Sequence, residues 1–531
     1  MIFEKVSFKD LEILSPLVND YLFNPQSVQQ LFEFTPDEAG LEKALQTIDF
    51  PNEKRLILAD TLKHQYENLG LARNPLVEKN LELLTLENTF TVTTAHQLCL
   101  FTGPLYFVYK ILSAIKLAKI LNEKYPTKNF VPIYWMGGED HDFEEVNHFN
   151  IYNKKIEWQS EEKGAVGRMS TKGIDEAIEA LESILGESDF EQELLLKFKV
   201  FFTNPEKQYG VSFQAFIYDL FADYGVLVLN QDDKNLKQLF KNQLNKEITT
   251  QAISKSIQNN LSFLEHNYHI QANPRDINVF YLFENGRERI EFDGEKYQVL
   301  NTDIAFTKEA LLKEIEVHPE NFSPNVLLRP LYQQSILPNI ATIGGGGEVA
   351  YWLELKEVFQ AFDTFYPVVF LRDMALIVNK SNQKRMEEWQ LDNEAIFADK
   401  DELIKKIVDQ NTQIDLTLDR EKSEIENIYN KIIERAIKVD KNLEKSVLAE
   451  MQKAINSFSN IESKLVRAEK KNQEQTVQQI ESFKQKLFPN GVLQERYDNF
   501  LPFYIKYKKQ FFQELLSHFN LLDYKMHIVK E

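Results

Sequence analysis

The chain has 531 residues, a formal net charge of -20 at pH 7, and 43% hydrophobic and 12% aromatic residues. Such a composition excludes a disordered polymer and supplies core for roughly two to four domains. The acidic balance argues against nucleic acid or a membrane surface as partner, because their phosphates would be repelled, yet it leaves room for a local basic pocket.

The opening "MIFEKVSFKDLEILSP" interleaves charges with apolar residues and lacks the apolar core of a signal peptide. Nowhere is there a run of about 18 apolar residues that would cross a bilayer. Cys99 is the single cysteine, which excludes an internal disulfide and fits a reducing compartment. A soluble cytoplasmic protein is expected.

Residues 1–84 carry apolar positions three and four apart and predict helices. The period then changes. "NTFTVTTA" (88–95) has the Thr, Val and Phe content of a strand, "LYFVYKILSAIKLAKILNEKY" (105–125) predicts a long helix, and "NFVPIYWM" (129–136) a second buried strand. Strand, helix, strand is a βαβ unit, and its right-handed crossover implies a parallel sheet. "DYGVLVLNQDD" (223–233) predicts a third strand, and "YPVVFLRDMALIVN" (366–379) a pair of late core strands. The expected organisation is a helical part of the core (1–84), the first half of the core (85–155), a first insertion (156–205), a core strand and helix (206–240), a second insertion (241–325), late core strands (326–380), a coiled-coil region (381–490) and a helical return onto the core (491–531). Within the second insertion "INVFYLFENGRERIEFDGEKYQVL" (277–300) is β-like. From Glu421 to Lys470 there is neither Pro nor Gly, and Val447, Met451, Ala454, Phe458, Ile461, Leu465 and Ala468 alternate four and three apart, a heptad seam. Ile425, Ile428, Ile432, Ala436, Val439 and Leu443 extend it upstream. A single helix of this length would reach about 75 Å.

Chemistry concentrates in three places. "WMGGEDHDFEEVNHF" (135–149) follows a strand, where open α/β sheets bind ligands. Glu144 and His148 are four apart, and with His141 could hold a metal if they shared a helix face. A solvated acidic loop is the plainer alternative. Placement favours the polar lip of a substrate pocket, with Asp140, His141 and Asp142 orienting an amine or taking its proton, Trp135, Gly138, Glu139 and Asn147 around them, and no resident metal. "TAHQLCLFTGPLY" (94–106) ends another strand. His96, Gln97, Gly103 and Tyr106 are candidates there, Lys110 follows one turn on, and the helix start after Pro104 offers N–H groups to an anion. Cys99, between two leucines, reads as a buried hydrophobe. In "NVLLRPLYQQSILPNIATIGGGGEVAYWLEL" (325–355), Arg329 suits a carboxylate. The four glycines, Gly346 among them, would let backbone approach a ligand, with Gln333, Glu348, Tyr351 and Trp352 nearby. The spacing is neither a P-loop nor a dinucleotide fingerprint. Arg168 in "GAVGRMS" is a second cation.

Taken in order, "TGPLYFVYKILSAIKLA", "WMGGEDHDFEEVNH", "FADYGVLVLNQDD", "SPNVLLRPLYQQSILPNIATIGGGGEVAYW" and "LFPNGVLQER" resemble the bacillithiol-biosynthesis cysteine-adding enzyme family over about residues 88–500. The resemblance implies an α/β fold: a Rossmann-like, nucleotidyltransferase-type core with connecting-peptide insertions and a long coiled coil, antiparallel or parallel, that makes a homodimer. It implies a ligase joining cysteine to the glucosamine amine of glucosaminyl-malate, with ATP and magnesium as the expected activating cosubstrate. Likeness to class I cysteinyl-tRNA synthetases places His96 near the HIGH position, whereas "AISKS" (252–256) matches only the end of KMSKS and reads as coincidence. The malate carboxylates would want Arg329, Lys110 or Arg168. Two other classes stay open: a non-catalytic nucleotide-binding scaffold with a dimerising coiled coil, and a metal-dependent hydrolase.

Overall fold

The threonine-rich stretch forms β1 (Thr89–His96), and the apolar run after its crossover forms β2 (Asn129–Met136). Between them lies α1 (Tyr106–Lys124). β1 and β2 pair in parallel along their whole length, Thr89 opposite Asn129 and His96 opposite Met136, as the βαβ pattern requires. β3 (Leu227–Asn230) runs parallel to β2 on its far side. Across β1 come β4 (Asn339–Gly344) and β5 (Val368–Leu371), also parallel, and β4 leads through Gly345 into α2 (Gly346–Glu354). The sheet order is β5–β4–β1–β2–β3. The chain therefore moves outward from β1 in one direction and later resumes on its other side. Such a reversal separates the loops leaving β1 and β4 and opens a crevice at their carboxyl ends.

Phe90, Val92, Leu117, Leu121, Phe130, Ile340, Ile343 and Phe370 form one buried cluster across this sheet and α1, each side chain contributing about 1.5–3 kcal/mol of transfer free energy. β1 also buries Thr91, Thr93 and Thr94, and a buried hydroxyl needs a partner. The Asn339 amide lies 2.7 Å from the Thr93 hydroxyl and 2.9 Å from that of Thr342, while Thr94 donates to the Ile343 carbonyl at 3.0 Å. Central β4, flanked by Pro338 and the glycines, carries no clean β pattern, and no strand was expected there.

The structure, a computed structural model, describes residues 1–411 and 416–531, with Asn411 and Lys470 as backbone only. It divides into two units, Met1–Leu376 with Gln494–Val529, and Ile377–Leu493 with Lys530–Glu531. In the first unit, residues 1–84 supply the helices Pro16–Phe23, Glu38–Thr47, Asn52–Leu69 and Pro75–Leu84. They are preceded by an unforeseen strand, Ile2–Ser7, whose partner is the C-terminal strand Lys525–Lys530. Nothing local signals such a distant pairing. The β-like patch forms the antiparallel strands Val279–Phe283, Gly286–Phe292 and Tyr297–Val299. Of the late pair, only β5 joins the parallel sheet; Met374–Val378 belongs to another.

The second unit corrects the expectation of one long helix. The heptad region is two helices, α3 (Asp419–Val439) and α4 (Leu443–Asn472), that fold back on each other, so that Lys422 of α3 meets Glu462 of α4 at 2.5 Å. The break lies at Asp440, which is extended (φ -155°). Its carboxylate accepts the Asn442 N–H at 2.9 Å and its carbonyl the Leu443 N–H at 3.0 Å, a local turn that competes with helix. Half-buried Ile425, Tyr429, Ile433 and Ala436 on α3, and Val447, Met451, Ala454 and Phe458 on α4, mark the seam of this coiled coil. Ile428, Ile432, Ile461 and Leu465 stay exposed.

Candidate active site

The carboxyl ends of β1, β2 and β4 open into a cavity of about 760 Å³. His96 and Gln97 reach it from β1, Trp135 and Asp140–Asp142 from β2 and its loop, and Gly345–Gly347 from the start of α2; strands of the second insertion close it with Phe280, Arg287 and Arg289. Six arginines line it: Arg275, Arg287, Arg289, Arg329, Arg372 and Arg496. In a chain of net charge -20 this is a local inversion of sign, and it selects an anionic ligand.

Asp140 sits between two of these arginines, 3.6 Å from Arg287 Nη1 and 3.7 Å from Arg329 Nη1, and accepts the Gln97 amide at 3.0 Å. Burial pushes its carboxyl pKa up, but Arg329, Arg287 and Gln97 more than offset this and hold it below the usual carboxylate range. Asp140 is therefore a fixed anion rather than a base. Arg287 Nη1 lies 2.8 Å from His141 Nδ1. A guanidinium has only donors, so Nδ1 is the acceptor and the neutral ring keeps its proton on Nε2, which faces Asp142 Oδ1 at 3.9 Å. Arg287 stacks on Phe280, 3.8 Å from the ring centroid, and its Nε donates to the Ser323 hydroxyl at 3.1 Å. Burial, then the neighbouring Arg329 charge, lowers its pKa to about 10.

One ligand atom from each of Asp140, His141 and Asp142 fits within 4.8 Å, close enough for a shared cation. Arg287 and Arg329 already engage two of the three, Asp140 and His141. Glu144 and His148 do not share a helix face: the helix is only Phe143–Val146, and His148 opens a strand.

On the other wall His96 Nε2 meets the Tyr106 hydroxyl at 3.1 Å. Burial, with help from Lys110, lowers the His96 pKa to about 4, so the ring is neutral near pH 7. Burial raises the Cys99 thiol to about 12, which removes it as a nucleophile. Lys110, 1% exposed, pairs with Glu348 at 2.6 Å from behind the wall. Arg372, 2% exposed, is held by Glu495 at 2.5 and 3.0 Å.

The cavity thus gathers His96, Gln97, Tyr106, Trp135, Asp140, His141, Asp142, Arg329, Gly346, Glu348 and Tyr351 from the sequence candidates. Gln333 and Trp352 line only a side recess of about 40 Å³. The rest lie elsewhere. Gly103 is covered by Asn499, whose amide donates to its carbonyl at 2.6 Å, and Asp498 takes the Leu105 N–H at 2.7 Å, so the start of α1 is closed to an anion. Gly138 packs on Gly167, its carbonyl accepting the Gly167 N–H at 2.7 Å. Asn147 is buried, its carbonyl taking the Trp158 N–H at 2.7 Å. Glu139 and Arg168 join Lys237 and Asp232 in a charge network beneath the floor. The helix Ala252–Ser256, which holds Ser254-Lys255-Ser256, contributes nothing to the lining. Sequence reading missed Arg275, Arg287, Arg289, Arg372 and Arg496. The alternating Arg287 and Arg289 beside Gly286 were the available signal, since alternation puts both on one strand face.

Residues 1–373 match the family model described as "Bacillithiol biosynthesis BshC, N-terminal Rossmann-like domain", and residues 375–531 the model of the C-terminal coiled-coil domain of the same family. A protein of Flavobacterium johnsoniae named "Putative cysteine ligase BshC" is 38% identical over 526 residues, covering 99% of each chain. A protein of the same name from Cytophaga hutchinsonii is 39% identical over 505 residues, covering 94% of each.

Proposed function

The chain belongs to the bacillithiol-biosynthesis BshC family, whose matched relatives are named "Putative cysteine ligase BshC", and on that premise we propose that it joins the carboxyl of cysteine to the glucosamine amine of glucosaminyl-malate. The observation that carries the reading is the arginine-lined cavity at the reversal of the strand order, with Arg287 shared between Asp140 and His141. Malate brings two carboxylates. Arg287 and Arg329 offer a guanidinium to each, and the six arginines of the lining outnumber its three carboxylates, Asp140, Asp142 and Glu348.

The same contacts supply a base. While Arg287 donates to His141 Nδ1, that lone pair is unavailable to a substrate. A malate carboxylate that draws the guanidinium to itself frees Nδ1, which then takes the proton of the amine as its nitrogen attacks the cysteine carbonyl carbon. Asp142, beside Nε2, stabilises the resulting imidazolium. The C–N bond forms, and the group that activated the cysteine carboxyl leaves with its electron pair. ATP with magnesium would supply that activation. Arg275 and Arg289 at the insertion side fit its phosphates, since the Arg275 guanidinium makes no ion pair among the described residues. Exposed Ile428 and Ile432 on α3 and Ile461 and Leu465 on α4 support association with a second copy.

Purified protein with cysteine, glucosaminyl-malate and magnesium-ATP, beside an ATP-free control, tests the reading by mass spectrometry of the thiol products. ATP-dependent bacillithiol is the expected result. Its absence, together with nucleotide binding indifferent to cysteine and the aminosugar, would replace the ligase with a nucleotide-binding scaffold.

A further inference from the structure

The cavity has a second cationic cluster, at the start of α2. There α2 begins, and the N–H groups of Gly346, Gly347 and Glu348 have no acceptor among the described residues. Free N–H groups at a helix start attract anions. Glu348 uses its carboxylate on the Gly345 N–H, at 2.8 Å, and on Lys110. Arg372 lies alongside. Its Nη atoms are occupied by Glu495 and the Asp373 carbonyl, but its Nε has no partner and would stand 3.7 Å from a Cβ placed on Gly345. Arg496 lines the same end and makes no ion pair among the described residues.

The glycines have separate reasons to be glycine. A Cβ on Gly344 would stand 2.8 Å from the Glu348 Cβ, so packing excludes it. Gly346 and Gly347 have no such constraint: neither has a positive φ, and a Cβ on either would meet nothing within 4 Å. What their bareness preserves is open space in front of the unpaired N–H groups.

Arg372 is cancelled by Glu495 and Lys110 by Glu348. That leaves Arg496 and the helix end, equivalent to about half a charge, enough to hold one carboxylate. We propose that the start of α2 at Gly346–Gly347, with Arg372 and Arg496, seats a single carboxylate, that of the amino-acid substrate. The identity of the amino acid rests on the ligase reading; the carboxylate class does not.

Gly347→Ala is a clean probe, because the site admits a Cβ and the helix gains propensity. Calorimetric titration of the full-length protein would compare L-cysteine with cysteamine, which has the same thiol and amine but no carboxylate, in wild type, Gly347→Ala and Arg496→Gln. The expected result is L-cysteine binding weakened about tenfold or more in both variants, cysteamine binding equal in all three, and no displacement of L-cysteine by inorganic phosphate or pyrophosphate. Unchanged L-cysteine affinity in Gly347→Ala, displacement by either phosphate, or no saturable L-cysteine binding by wild type in the millimolar range would each overturn the assignment. If bacillithiol fails to form while the variants lose L-cysteine binding, the ligase reading falls and the carboxylate seat stands. Product formation with unchanged binding has the opposite meaning.

Discussion

Replacing Lys237 by methionine should unbalance the charge network under the floor. Lys237 is 2% exposed; its ammonium contacts Glu139, which is fully buried, and lies 3.2 Å from Asp232. Asp232 in turn receives Arg168 through two hydrogen bonds of 2.6 and 2.8 Å, and Glu139 accepts the Ser323 hydroxyl at 3.3 Å. Two cations balance two carboxylates. Methionine fits the aliphatic stem but leaves Glu139 with a hydroxyl as its one hydrogen-bond partner among the described residues, and breaking one side of a buried pair costs about 3–5 kcal/mol. The unit formed by Met1–Leu376 and Gln494–Val529 has about 400 residues, and an unfolding entropy of about 2.1 cal/mol/K per residue translates that loss into a Tm drop of about 3–6 °C. Scanning calorimetry at pH 7.5 on Lys237→Met, and on Lys237→Met with Glu139→Gln, measures it. The double variant should recover most of the loss, because a neutral amide needs no counter-ion. The pH dependence has a defined sign. Burial raises the Asp232 pKa, but Lys237 and Arg168 outweigh it and bring it to about 2. A depressed carboxyl stabilises above its unfolded pKa of about 4 and loses that contribution as pH falls toward 2. The gap between wild type and Lys237→Met should therefore be full above pH 4 and shrink below it. A drop under about 1 °C, or a double variant less stable than the single, would refute the reasoning.

Arg287→Lys keeps the charge but cannot serve Ser323, the Pro324 carbonyl and His141 at once; the KM for glucosaminyl-malate should rise about tenfold or more in a bacillithiol-forming assay, and an unchanged KM would count against malate at this end. Burial alone raises the Asp498 carboxyl to about 7, so its ionisation penalises the folded chain increasingly as pH rises from about 4 through 7. The Tm advantage of Asp498→Asn over wild type should accordingly grow between pH 5 and 8, and a flat difference would contradict it. Cysteines at Lys422 and Glu462, bridged by a short bis-maleimide, should cross-link within one chain at any protein concentration, with buried Cys99 unreactive; exclusively intermolecular products would contradict the hairpin of α3 and α4.

The βαβ start of the sheet was legible because β1, α1 and β2 are local and each changes the hydrophobic period. β4 was not. Its key residue, Asn339, is polar because it satisfies hydroxyls on β1, a requirement that exists only once the two strands are adjacent. The heptad seam was visible in the sequence, yet its reversal turns on Asp440 and Asn442, and heptads read alike whether their partner is another chain or the next helix. At the site, Asp140–Asp142 and Arg329 stood out in clusters. The other five arginines arrive from four places in the chain, only Arg287 and Arg289 sharing a strand, and Arg372 was hidden between the two apolar runs of 366–379. Glu139 and Arg168 are the opposite case: charged residues beside a motif that the fold turns away from the cavity, onto Lys237 and Asp232.

The position of β4 beside β1 also sets an order in time. Roughly 240 residues separate the two strands, so at about 5–20 residues per second the ribosome delivers β4 some 12–50 s after β1. During that interval the hydroxyls of Thr91 and Thr93 wait without Asn339, and the crevice has only one of its walls. Glu495, the counter-ion of Arg372, arrives later still. A nascent chain therefore acquires its acidic lip early and its carboxylate seat almost at the end of synthesis, and a product truncated before Glu495 would carry half a pocket with an unneutralised buried arginine.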